Sequence, residues 1–145
     1  MATPLALPAF RLALPDGWTE QTVYMFLGPE EGEHKHHLTL QVDDDPATTD
    51  LAEYTTPYLQ GQMETLPQAE TIKNEMAELP GGVEGYVTVV KWQPSEDQVL
   101  LRKQVVVVRG ETVFVLAGDF TKKSMPILGG QMETMAATIN LPGAG

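Results

Sequence analysis

The sequence predicts an α+β domain, an antiparallel β-sheet of about six to seven strands with two main flanking helices, in the order β-β-β-α-β-β-β-β-α. Three observations predict it. Strict alternation of apolar and polar residues runs from His36 to Asp43. Three long β-rich runs, 83–92, 98–108 and 112–120, follow one another across short turns, as in a meander. Two stretches, 51–66 and 125–139, repeat apolar residues at helical spacing. At 145 residues the chain is the size of a single domain, 1–145, with one core.

The elements follow in order. Phe10, Leu12 and Leu14 alternate with Arg11 and Ala13 and run into Pro15-Asp16-Gly17, a turn sequence that closes a first strand on Trp18. Residues 22–27, TVYMFL, are apolar on both parities, which predicts a strand covered on both faces, and Gly28 to Gly32 then form a loop. The third strand puts His36, Leu38, Leu40 and Val42 on one side and His37, Thr39, Gln41 and Asp43 on the other. Asp50 and Glu53 have the spacing of a capping box, and Leu51, Tyr54, Tyr58, Leu59, Met63 and Leu66 share a helical face that Pro67 ends. Pro57 inside this helix removes one backbone hydrogen bond and bends the axis.

A weaker strand over 70–79 precedes the turn Pro80-Gly81-Gly82 and the meander, whose last hairpin turns at Arg109-Gly110-Glu111. Ser124 is placed to cap a second helix with Met125, Leu128, Met132, Met135, Ala136 and Ile139 on one face, and Pro142 and Gly143 lie past its end. The pentapeptide GQMET occurs at 61–65 and at 130–134, each time in a predicted helix with its Met facing inward. The flanks differ, so the match reads as coincidence and not as duplication.

Composition narrows the functions. A net charge of -11, from 20 acids against 9 bases, works against nucleic acid and against anionic lipid surfaces, both of which require clustered Lys and Arg. With no cysteine, disulfides, thiolate catalysis and cysteine-held zinc are excluded. The apolar opening stretch is short, broken by Pro4, Pro8 and Pro15, and carries no basic leader, so a cytoplasmic location without direct membrane anchoring is expected.

Chemistry-bearing motifs are sparse. His34, His36 and His37 are too close in sequence to supply a full metal shell from one strand, and His36 and His37 point to opposite faces; a pair of His34 and His36 would need unspecified carboxylate partners. Asp43, Asp44 and Asp45 lack the alternation and the glycine of a calcium loop. Ser95 and Ser124 lie outside any G-x-S-x-G context, and the Gly81-Gly82 and Gly129-Gly130 pairs lack the neighbours of a phosphate loop. A non-enzymatic protein without cofactor or bound metal is therefore expected. What remains is apolar surface: two amphipathic helices must cover a sheet several of whose strands are apolar on both parities. Either the helices divide between the faces and everything is core, or one sheet face is left partly bare for a partner.

The sequence resembles the DcrB-like proteins of PsbP-like fold and, among them, the Eag effector chaperones of type VI secretion systems. The resemblance rests on LPDGW (14–18), TVYMF (22–26), LAEYTTPYL (51–59) leading to LP (66–67), Trp92 and LLRKQVVVV (100–108), in order along nearly the whole chain. It implies a homodimer with a sheet-lined groove that shields the hydrophobic N-terminal transmembrane helices of a secreted effector until export. Carried onto this chain, the groove positions are Val23, Met25, His37, Thr39, Gln41, Tyr58 and Gln104. Three of these depart from the family pattern: His37 and Gln41 are larger than the small hydroxyl residues it favours, and Tyr58 stands where it leads one to expect an amide. Lys103 leaves the register at Gln104 open by one residue. The alternatives are a domain that binds a soluble regulatory protein, as another branch of the fold does, and a metal-dependent enzyme using His34 and His36.

Overall fold

The computed structural model describes residues 13–18, 23–32 and 34–140. Its elements are β1 (Val23–Glu31), β2 (His34–Asp43), α1 (Leu51–Thr65), β3 (Glu70–Leu79), β4 (Val83–Ser95), β5 (Gln98–Arg109), β6 (Thr112–Phe120) and α2 (Gly130–Ala137). The strands form a six-stranded antiparallel sheet in the order β1-β2-β6-β5-β4-β3. The class and succession of elements are those the pattern predicts, with six strands among the described residues. The strand expected at 10–14 lies largely outside them; Ala13 and Leu14 lead into a turn in which Trp18 N–H donates to the Pro15 carbonyl at 3.2 Å over Gly17 at φ 89°.

The two helices divide between the two faces of the sheet. Under α2 lies the main core: Leu40 from β2, Phe114, Leu116 and Phe120 from β6, Val105 and Val107 from β5 and Val87 and Val89 from β4, closed by Met132 and Ala136. Under α1 lies a smaller cluster of Tyr54, Val106, Val113 and Val115, with Leu51, Tyr86 and Val108 against it. β5 and β6 are thus apolar on both parities because both faces are covered.

β1 differs. Tyr24 and Phe26 pack toward α2, but Val23, Met25 and Leu27 on the opposite parity are 46%, 61% and 84% exposed. Among the described residues the expected second cover is missing, because α1 packs against β3, β4 and β5 and does not extend over β1. Gly28-Pro29, read as loop, is instead a bulge within β1, which the strand survives because the irregularity spares the pairs on either side, Leu27 with His37 and Glu30 with Lys35.

Local chemistry explains the helices. Asp50 caps α1 by accepting from Glu53 N–H at 3.0 Å; Glu53 does not return the bond to Asp50 but accepts from Thr48, whose hydroxyl also takes Asp50 N–H. The helix runs continuously through Pro57 to Leu66. The second helix begins otherwise than its sequence suggests. Ser124 makes no side-chain cap bond; residues Met125–Gly129 form a π-helical turn before α2, and the Ser124 hydroxyl is engaged elsewhere. The shared pentapeptide also splits: Met132 is fully buried, whereas Met63 is 38% exposed, since only α2 lays that position on the sheet.

The register at 103–104 is fixed by pairing. Gln104 pairs with Ala117 and Thr88 and faces α1, while Lys103 pairs with Gly118 and faces α2. Lys103 is 6% exposed; its ammonium donates to the Gly129 carbonyl at 3.0 Å and lies 3.1 Å from the Glu133 carboxylate, so its charge is matched within the core face. Gly118 allows β2 and β6 to pack closely, because a Cβ there would displace the end of the Leu38 side chain and sit 3.1 Å from the His37 carbonyl.

Candidate functional site: a groove beside the first helix

Antiparallel pairing lines up side chains from β1, β2, β6 and β5 on the α1 face. Met25 pairs with Thr39, Thr39 with Ala117 and Ala117 with Gln104; a row further along, Val23 pairs with Gln41 and Gln41 with Val115. These rows floor a cavity of about 300 Å³ beside α1, and His37, Thr39, Gln41, Tyr58 and Gln104 line it. Five of the seven positions carried over from the resemblance therefore border one space. Val23 and Met25 stand on the same face at its outer side, exposed.

The residues differ in burial. Gln104 is 2% exposed and lies beneath the second half of α1, not on open surface. Its Oε1 accepts from Gln62 Nε2 at 2.8 Å, and this leaves Gln104 Nε2 and Gln62 Oε1 buried without partners. Turning both amides over exchanges the roles without satisfying the pair. Gln62, which sequence reasoning missed, supplies from α1 the amide that Tyr58 lacks. It is four residues, one helical turn, beyond Tyr58, and that spacing was the available signal.

The two ends of the groove are chemically unlike. At one end Tyr54 O–H donates to Asp43 Oδ2 at 2.8 Å, and the Tyr54 and Tyr58 hydroxyls are 3.3 Å apart with the rings stacked, so α1 is bonded directly to β2. At the other end Arg102 binds Asp119 through two bonds, Nε to Oδ1 at 3.0 Å and Nη2 to Oδ2 at 2.8 Å. Trp92 Nε1–H donates to the same carboxylate at 2.9 Å, and the guanidinium lies 5.2 Å from the centre of the Trp92 ring. Arg102 and Asp119 also went unnoticed in the sequence, although both lie on the parity of the groove strands.

Burial, then the bonds to Tyr58 and Asp43, push the Tyr54 phenol above its ordinary range. The folded state therefore holds this proton more tightly than the unfolded chain. The sign follows: the contribution is fully present below pH ~10 and is lost as pH rises above it, at up to about 1.4 kcal/mol per unit. Denaturant melts between pH 9.5 and 11 are expected to show that slope reduced in Tyr54→Phe; equal slopes would mean that the phenol ionises freely in the folded protein.

Two of the three histidines, His34 and His36, have structural partners. His36 is 5% exposed; Nδ1 lies 2.6 Å from the Pro29 carbonyl and must carry the proton, while Nε2 lies 2.8 Å from the Ser124 hydroxyl. Both ring nitrogens are thus committed, which leaves His36 no lone pair for a metal. His34 is beside it, with ring centres 4.5 Å apart, and uses Nε2 on the Asp119 carbonyl at 3.1 Å. The Ser124–His36 contact has the distance of a nucleophile and its base. However, Ser124 is 7% exposed, also accepts Thr121 N–H at 3.0 Å, and borders neither the groove nor the 750 Å³ cavity at the start of α1. Its role is to fasten the bulge of β1 to the π-helical turn.

A single antiparallel sheet with one helix on each face and a half-polar groove beside the first of them define an α+β domain. The chain belongs to the DcrB family, whose model matches residues 11–139. Among solved structures it is similar to PA94 of Pseudomonas aeruginosa, a protein of unknown function, with 20% identity over 88% of each chain and a TM-score of 0.65. Looser likenesses are to the cyanobacterial PsbP of Synechocystis sp. PCC 6803 (11% identity, 87% of this chain and 95% of that one, TM-score 0.47) and to LpqN of Mycobacterium tuberculosis (16%, 77% and 79%, TM-score 0.43). No curated protein matches the chain. Among the described residues no helix is long and apolar enough to cross a membrane.

Proposed function

We propose that this protein is a cytoplasmic, non-enzymatic chaperone that holds hydrophobic helices of a secreted effector, of the type VI secretion class, in the groove beside α1, and that it works as a homodimer. The observation that carries the reading is the unsatisfied amide pair in a sheet face that is otherwise half apolar. Gln104 Nε2 and Gln62 Oε1 each leave a buried polar atom unmade, a cost of about 1–3 kcal/mol that a bound partner offering a donor and an acceptor recovers. Val23, Met25 and Leu27 supply exposed apolar area beside them, at about 25 cal/mol per Å² removed from water. Apolar contact with a few interhelical hydrogen bonds is what a transmembrane helix meets among its neighbours in a bilayer. The charge of -11 keeps the loaded complex dispersed.

The test is co-expression with a fragment carrying the hydrophobic N-terminal helices of an effector encoded beside this protein's gene. The fragment is expected to stay in the supernatant and co-purify; a fragment that pellets equally with and without the protein contradicts the proposal.

A further inference from the structure

We infer that the groove is closed at one end and takes the N-terminal end of a single helix, covering about 13 residues of it. This rests on the helix-holding reading above and adds number, length and direction.

Number comes from width. Gln62 already stands on Gln104 of β5, so among the described residues the free floor is bounded by α1 on one side and β1 on the other. From β5, over which α1 stands, across β6 and β2 to β1 is three strand spacings, about 14 Å, and a helix packed beside α1 has its axis about 8–10 Å away. One helix fits and two do not.

Length comes from the ends. The Tyr54–Asp43 bond ties α1 to β2 across β6 and blocks the groove there, whereas at the far end the Arg102–Asp119 pair and the Trp92 indole on it reach only as far as β6 and leave β2 and β1 open. From Asp43 to His37 is six residues of strand, about 20 Å, or about 13 residues of helix. A membrane-spanning helix of about 20 residues therefore leaves about a third of its length beyond Leu27 and Arg102.

Direction comes from charge. The closed end carries Asp43 and, beside it, Asp44 and Asp45, none of them in an ion pair among the described residues, whereas at the open end Asp119 matches the charge of Arg102, so the carboxylates of the closed end set the field along the groove. A helix N-terminus bears partial positive charge and its C-terminus partial negative charge, so the N-terminus belongs at the carboxylates. That the groove takes a ligand at all is indicated independently by Gln104 Nε2, unpartnered on a residue 2% exposed.

The chain has no cysteine, so single thiols can be placed cleanly. Ala47→Cys marks the closed end and Leu27→Cys, at an 84% exposed position, the open end. The probes are synthetic Leu/Ala helices of 13 and 20 residues with one serine face, each with a thiol at its N- or C-terminus. The N-terminal thiol is expected to crosslink to the Ala47→Cys variant at least threefold more than the C-terminal thiol does, with the preference reversed at Leu27→Cys. The 20-residue helix is expected to bind the unmodified protein within about twofold of the 13-residue one. Equal or inverted crosslinking overturns the direction, and tenfold tighter binding of the longer helix overturns the length. If neither helix binds the unmodified protein, the groove reading itself falls, and this inference with it.

Discussion

Met132→Ala is expected to lower the stability of the protein by about 3 kcal/mol, with a fall in Tm of about 10 °C for a chain of this size. Met132 is fully buried and closes the main core against Val87, Val105, Val107 and Leu116, all 1% exposed or less. These neighbours sit on a hydrogen-bonded sheet that cannot collapse into the space a truncated side chain leaves, so the loss includes a cavity as well as the lost transfer energy. Met63→Ala is the internal control. It lies in the same pentapeptide but is 38% exposed, and the expected cost is below about 1 kcal/mol. Urea melts of both variants measure the difference; equal losses would mean that α2 is not seated on the sheet.

Ala117→Trp is expected to reduce binding of a 13-residue Leu/Ala helix by 100-fold or more while moving Tm by only a few degrees. Ala117 pairs with Thr39 on one side and Gln104 on the other, at the centre of the groove floor. An indole there occupies the space of the partner helix and covers the amide pair. Because the residue is only half-buried and faces the cavity, the added ring has room that a core position would deny it. Isothermal titration alongside a thermal melt separates the two effects. Unchanged affinity would place the partner elsewhere, and a large fall in Tm would place the Ala117 side chain in the core.

Both predictions depend on which parity of a strand faces which helix, and that was largely legible in the sequence. Alternation placed Leu38, Leu40 and Val42 opposite His37, Thr39 and Gln41, and the meander was legible because its turns are short. Illegible was how far each helix reaches. The apolar parities of β1 and β5 look alike in sequence, yet Val106 is fully buried and Met25 is 61% exposed, because α1 covers one and stops short of the other. The π-helical start of the second helix was hidden for a different reason. Ser124 is a good cap in isolation, but a buried histidine 88 positions away in the chain claims its hydroxyl. The same long-range effect decides Gln104: its identity was a clue, whereas its burial beneath Gln62 depends on where α1 crosses the sheet.

The most direct test of the account is amide-resolved NMR of the protein titrated with the 13-residue helix. Shifts are expected at Met25, Thr39, Gln41, Ala117 and the Gln62 and Gln104 side-chain amides, with the α2 face around Val87 and Met132 unmoved. Shifts centred on the α2 face or on β3, with the groove amides unchanged, would contradict it.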